Sequence, residues 1–292
     1  MNTMHSFIKV ETRVKSPIQE VWRLWIDPMH IIKWNAASDD WQTSFAENDP
    51  IVDGLFLFRM EAKDGSVGFD FTGTYTHIVE ASRIEYVMPD GRKVKVLFTA
   101  DKGSTVVTEE FEPETVHAHN LQKAGWQSIL DNFKRHAEGK GKNEVLRFSV
   151  NIHASAQTVY QRMLDQKYYR EWTKVFNPES HYVGIWEKRS MLRFIGVDGK
   201  GHKGGMVSRV RENIPGKFVS IEHLGLLKGE KEILSGSEVD SWAGSLENYK
   251  FTSDGTKTIL DVYLDSNQEF SSYFLETWPK ALDRLKEICE KV

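Results

Sequence analysis

Residues 7–14, FIKVETRV, alternate apolar and polar side chains, the period-two pattern of a half-buried strand. The period then lengthens. Val21, Trp22, Leu24 and Trp25 share one helical face, opened by Ser16-Pro17 as N-cap and first helical residue and ended by Asp27-Pro28. A short second helix leads to Trp34. Five strand candidates follow, at residues 55–62, 69–80, 83–89, 92–100 and 105–113. Asp64-Gly65, Asp90-Gly91 and Lys102-Gly103 mark hairpins between them, which predicts a sequential antiparallel meander. A long helix closes the pattern, its apolar stripe being Trp126, Ile129, Leu130 and Phe133 at i, i+3, i+4 and i+7.

The same order then recurs. Adding 138 to each position from Phe7 to Trp34 lands on matching chemistry: Val10 on Phe148, Val21 on Val159, Trp22 on Tyr160, Asp27 on Asp165 and Trp34 on Trp172. The closing helix repeats at an offset of 152, with Trp126 on Trp278, Leu130 on Leu282 and Phe133 on Leu285. The second copy is therefore 14 residues longer between its landmarks. Copies of this length are domains rather than solenoid units. The expected boundaries are 1–139 for the first domain, 140–144 for a polar, glycine-containing linker and 145–292 for the second.

The opening SPIQEVW, the strand FDFTGTYTHIV and the helix GWQSILDNF resemble the SRPBCC or START-like superfamily. The first copy is similar, more narrowly, to the family named after the activator of the heat-shock-protein-90 ATPase. The second resembles the superfamily through GGMVSRVRENIPGKFVSIEH, ENYKF and WPKALDRLKE. The resemblance implies an α+β fold of two tandem helix-grip domains. Each would be a curved antiparallel sheet of six to seven strands wrapped on a long C-terminal helix, with two short helices after the first strand. A fold of this kind leaves a space between sheet and helix that side chains or a ligand must fill.

Alternation lists what should face that space, if the more apolar face points inward. In the first copy these are Phe56, Phe58, Met60, Phe69, Phe71, Ile84, Tyr86, Met88 and Phe98, with Tyr75, His77 and Glu109 as polar exceptions. A carboxylate between Val107 and Phe111 must be paired, protonated or at the rim. The inward set of the second copy includes Leu192, Phe194, Val219, Ile221 and Tyr249, with His223, Trp242 and Glu247 as the unusual members. Trp34 and Trp172, at the ends of the short helices, mark the expected mouths. The candidate ligand-binding residues are thus Trp34, Phe58, Met60, Phe71, Tyr75, His77, Phe98, Glu109, Trp126, Trp172, His223 and Tyr249.

Composition narrows the classes of function. A net charge of -4 over 292 residues offers no electrostatic footprint for nucleic acid. No run reaches 18 apolar residues and the N-terminal segment does not read as a signal peptide, so a cytoplasmic protein without membrane insertion is expected. The single cysteine, Cys289, falls on the apolar stripe of the last helix and reads as a small core residue. Residues 196–205, GVDGKGHKGG, lack the phosphate-loop lysine pattern and read as a strand connection. His117 and His119 lack further metal ligands, and no nucleophile or zinc signature is present. No catalytic residue, metal or cofactor is assigned. The favoured function is binding or carriage of a small hydrophobic molecule, aromatic or lipid-like. The resemblance implies two alternatives: stimulation of a chaperone ATPase with the chaperone as partner, or a cyclase, aromatase or hydrolase type of enzyme.

Overall fold

The computed structural model describes residues 7–139 and 144–291, within two compact units, Met1–Lys140 and Gly141–Val292. Residues 140–143 of the expected linker lie outside the described residues, and Glu144 opens a strand of the second unit.

In the first unit β1 (Ile8–Val14) alternates buried and exposed positions along its whole length. It leads into α1 (Ile18–Ile26) and α2 (Pro28–Trp34). Pro17 rather than Ser16 stands at the start of α1, with no side-chain cap. Ser16 is instead buried and its carbonyl accepts from Thr105 Oγ1, so this turn is held by the sheet. Asp27 ends α1 and caps α2 by accepting from the Met29 amide at 2.8 Å. The meander follows as β2 (Trp41–Asn48), β3 (Leu55–Ala62), β4 (Gly68–Val79), β5 (Arg83–Val87), β6 (Lys93–Asp101) and β7 (Ser104–Phe111), then α3 (His119–Glu138).

The strand order is β1-β7-β6-β5-β4-β3-β2, antiparallel throughout. Gly65, Gly91 and Gly103 hold φ of 81°, 88° and 83° at hairpin turns, a conformation glycine adopts without penalty. The strand absent from the sequence reading is β2. A bulge between Thr43 and Phe45 makes its burial a continuous run, so it has no period of two to detect.

Helix α3 is packed unevenly. Leu130, Phe133 and Ala137 in its second half are buried, whereas residues 119–129 are all half-buried or exposed. The grip is tight at one end of the helix and loose at the other.

The second unit runs β8 (Glu144–Ile152), α4 (Ala156–Leu164), α5 (Gln166–Trp172), β9 (His181–Gly184), β10 (Met191–Val197), β11 (Lys203–Ile214), β12 (Phe218–Lys228), β13 (Lys231–Ile233), β14 (Leu246–Ser253), β15 (Thr258–Ser266) and α6 (Gln268–Glu290). Its path, β8-β15-β14-β12-β11-β10-β9, repeats that of the first sheet, with the short β13 added beside β12. The connection between β12 and β14 is where the longer copy gains most of its extra residues. The glycine-rich residues 196–205 form the β10–β11 hairpin, and Asp198 accepts from the Lys200 and His202 amides there. Cys289 belongs to the core beneath α6, and burial pushes its thiol up to about 12. Both units are helix grips, and the chain is a tandem α+β protein of that fold. No helix among the described residues is long and apolar enough to cross a membrane.

Candidate functional site

A carboxyl group, that of Glu109, stands among the apolar positions on the inner face of the first sheet. Val107, Glu109 and Phe111 share that face of β7, and Val10 on β1 and Val96 on β6 stand directly across from Glu109. All four neighbours are buried and Glu109 itself is 6% exposed. It forms no hydrogen bond or ion pair among the described residues. Desolvation raises its pKa to about 8, so the group is a neutral acid at pH 7. On β5 the buried Tyr86 phenol is pushed well above its usual value, first by burial and then by the charge of Glu109, and it too has no hydrogen-bond partner among the described residues.

Aromatic rings surround Tyr86. Phe56 lies 4.9 Å from Tyr86, 4.9 Å from Phe58, 5.3 Å from Tyr75 and 5.6 Å from Phe71, between ring centroids. Phe71 meets Trp126 of α3 at 6.2 Å, and Trp126 stacks on Phe111 at 4.0 Å. Phe58, Phe71 and Trp126 are only half-buried, under the loosely packed half of α3. Close approach of the rings depends on Gly73, where an added Cβ would lie 2.6 Å from the Phe56 ring. The result is a cluster of aromatic rings between the sheet and the first half of α3, with Glu109 and Tyr86 on the same face of the sheet.

Of the twelve expected ligand-binding positions, Phe58, Phe71, Tyr75 and Trp126 belong to this ring cluster, and Met60 and Glu109 are buried on strands of the same sheet. The Tyr75 hydroxyl donates to Asn48 Oδ1 at 2.6 Å. His77 does not join them. A bulge between Tyr75 and His77 inverts the alternation, and His77 is exposed rather than inward. Phe69, also expected inward, stands 47% exposed at the open end of β4, against Trp41. Trp34 and Phe98 occupy the opposite end of the grip. With Trp25 and Phe133 they form a second ring cluster, at 5.0 Å for Trp25–Trp34 and Trp34–Phe133 and 5.5 Å for Trp25–Phe98. The Trp34 indole donates to the Leu24 carbonyl at 3.2 Å. α2 packs on the buried half of α3, so Trp34 closes the core there instead of facing a mouth.

In the second grip the carboxyl group is paired, although Trp186 Nε1, Asn213 Oδ1 and Trp278 Nε1 are buried there without hydrogen-bond partners. Ser208 Oγ is 2.9 Å from His223 Nδ1, His223 Nε2 is 3.4 Å from Glu247, and the Tyr249 hydroxyl donates to the other oxygen of Glu247. Burial pushes the Tyr249 phenol well above its usual value, with Glu247 adding to the effect. Trp172 is buried and donates to the Met163 carbonyl at 3.0 Å, a core role like that of Trp34.

The registers show that the two carboxyls are not equivalents. Glu109 faces Val10 and Val262 faces Phe148, the matching pair at offset 138, while Glu247 matches Val94 by its pairing with the β12 and β15 neighbours. Sequence reading missed the Ser208 hydroxyl, since a bulge at Val207/Ser208 breaks its strand's period. It listed Tyr86 as apolar lining without weighing its hydroxyl.

Other candidates recede. No cluster of three or more possible metal ligands exists among the described residues, and His117 is exposed beside Glu114, 2.6 Å away. A groove between α5 and α6, lined by Glu171, Lys174, Asp283 and Arg284 among others, lies on the outer side of those helices and mixes both signs of charge.

Comparison with known proteins places these observations. The family described as Activator of Hsp90 ATPase homolog 1-like protein matches residues 15–138. The AHSA1-like protein from Aeromonas hydrophila is 48% identical over 45% of this chain and 93% of its own, with a TM-score of 0.43. A protein from Cytophaga hutchinsonii is 43% identical over 46% of this chain and 92% of its own, with a TM-score of 0.42. The di-domain ARO/CYC StfQ from the steffimycin biosynthetic pathway covers 97% of this chain and 98% of its own, at 14% identity and a TM-score of 0.58, a likeness of fold. A search of curated proteins finds no match. Its first domain matched at nearly half identity over almost the whole of a relative, the chain belongs to the activator of Hsp90 ATPase homolog 1-like family.

Proposed function

We propose that the first domain binds a small, mostly apolar molecule in the cleft between β3–β5, β7 and the first half of α3. The observation that carries this reading is the pair Glu109 and Tyr86, two buried residues with no hydrogen-bond partner among the described residues, beside half-buried aromatic rings. Neither hydroxyl oxygen is among the fully enclosed unpaired atoms, so both stay open to a small molecule, and each bond to a ligand group contributes about 0.5–1.5 kcal/mol. The rings supply area for an apolar body, and the loose half of α3 supplies the way in. Nothing in this arrangement places a nucleophile or a base with a partner at the cleft, so binding rather than turnover is the reading it supports best.

Native mass spectrometry of the purified chain tests it directly. Extra mass that leaves on mild activation is expected, and is expected to disappear in a Trp126→Ala, Phe71→Ala double variant. A saturating ligand at about 100 times its Kd should also raise stability by roughly 2.7 kcal/mol. Only apo mass, together with flat thermal shifts against aromatic, sterol and fatty-acid panels, would remove this reading. Stimulation of a chaperone ATPase by the same double variant, undiminished, would then favour the role that the family description names.

A further inference from the structure

We propose that Glu109 makes the first grip selective for uncharged aromatic molecules bearing a hydrogen-bond acceptor, such as a ring ketone, and makes it reject carboxylates of the same shape. This rests on the reading of the cleft as a binding site.

The surroundings of Glu109 decide the sign of the preference. β1 and β6 present Val10 and Val96 to it, and β7 adds Val107 and Phe111. α1 contributes the buried Val21 and Trp22, the latter against Phe98, and α3 contributes the half-buried Trp126, stacked on Phe111. The titratable groups on the inner faces of β4 and β5 are phenols, Tyr75 and Tyr86, and the first is already bonded to Asn48. The charged groups of α3 lie elsewhere: Asp131 is bonded to Gln127 on the half-exposed flank, and His136 meets His30 at the tight end of the helix. No cation among the described residues pairs with Glu109. The nearest cation felt at the site is Arg92, which acts on Tyr86 but is already paired with Asp90. A ligand carboxylate would therefore meet either a second carboxylate or a neutral acid in an apolar wall, with no unpaired cation beside Glu109 to offset its own desolvation. A carbonyl oxygen would meet two O–H donors, the carboxyl of Glu109 and the phenol of Tyr86, both kept protonated by burial. The flat walls formed by Phe58, Phe71 and Trp126 suit a ring rather than a flexible chain. The second grip lacks this device: Glu247 already takes Tyr249 and His223, and Trp278 is 3% exposed where its counterpart Trp126 is half-buried.

Three probes that share one ring system test the proposal on the full chain by calorimetric titration at pH 6.5: fluorenone, fluorene and fluorene-9-carboxylate. Fluorenone should bind about tenfold more tightly than either of the others. Its affinity should fall severalfold as the pH rises from 6.5 to 9.5, through the ionisation of Glu109. Glu109→Gln, which keeps a neutral donor, should bind fluorenone nearly as well and lose that pH dependence. Glu109→Leu should narrow the ketone preference, and the double variant Glu109→Leu, Tyr86→Phe, checked for its fold by circular dichroism, should bind fluorenone and fluorene alike. Equal binding of ketone and carboxylate by the wild type, or a ketone preference that survives undiminished in the double variant, overturns the selectivity while leaving the binding site standing. Binding of none of the three overturns both.

Discussion

A carboxyl group set between Val10 and Val96 with no cation beside it is stable in the folded state chiefly as the neutral acid. Its folded pKa, about 8, lies above the ordinary 4.5, so the fold binds a proton that the unfolded chain releases. Stability from this group is complete below about pH 4.5, declines as the pH rises, and is gone once the folded group ionises above about pH 8. At 1.36 kcal/mol per unit the span is on the order of 3–5 kcal/mol. Denaturant midpoints between pH 5 and 9 should show Glu109→Gln overtaking the wild type as the pH rises. Parallel curves for the two proteins would mean that Glu109 is solvated. The sequence made this residue visible, because a Glu between two inward apolar positions breaks the alternation. It left pairing, protonation and a rim position equally open, and only the neighbouring strands, distant in sequence, decide among them.

Elements show where period-based reading works and where it stops. β1, β5 and β8 alternate cleanly and can be read residue by residue. β4 cannot. Its bulge after Tyr75 is a local rearrangement of the ladder that no spacing announces, and it turns His77 outward while keeping Phe71 and Tyr75 inside. The same strand contains Gly73, whose missing side chain is what lets the Phe56 ring lie across it. Gly73→Ala should cost about 1–3 kcal/mol, through overpacking rather than backbone strain, and weaken any ligand binding in the cleft. Urea unfolding with an unchanged midpoint would show that Phe56 moves aside freely. The two long helices differ in how they begin, although both leave their first turns largely exposed. Asn267 caps α6 by accepting from the Phe270 amide, and Ser271 is the one buried position described before Thr277. α3 begins at Ala118 with no side-chain cap and stays half-exposed for its first ten residues or so.

At the scale of the whole molecule, each unit closes its first strand onto its last and grips its own helix, so each has a core of its own. We therefore expect residues 1–139, expressed alone, to unfold in a single cooperative transition and to retain the ligand seen with the full chain. Non-cooperative melting of that fragment would show that the second unit supports the first. The repeat at offset 138, the order of elements apart from β2, β9 and β13, and the identity of the long helices were determined by the sequence itself. They arise from periodicity and turn chemistry, which act over a few residues. Tertiary structure alone decided that Trp34 and Phe98 plug the tight end of the first grip, that Glu109 lacks a partner while Glu247 has Tyr249 and His223, and that His77 faces water. Each of these depends on which residues from separate strands come to face one another, and bulges shift that facing by one position without leaving a mark in the local pattern.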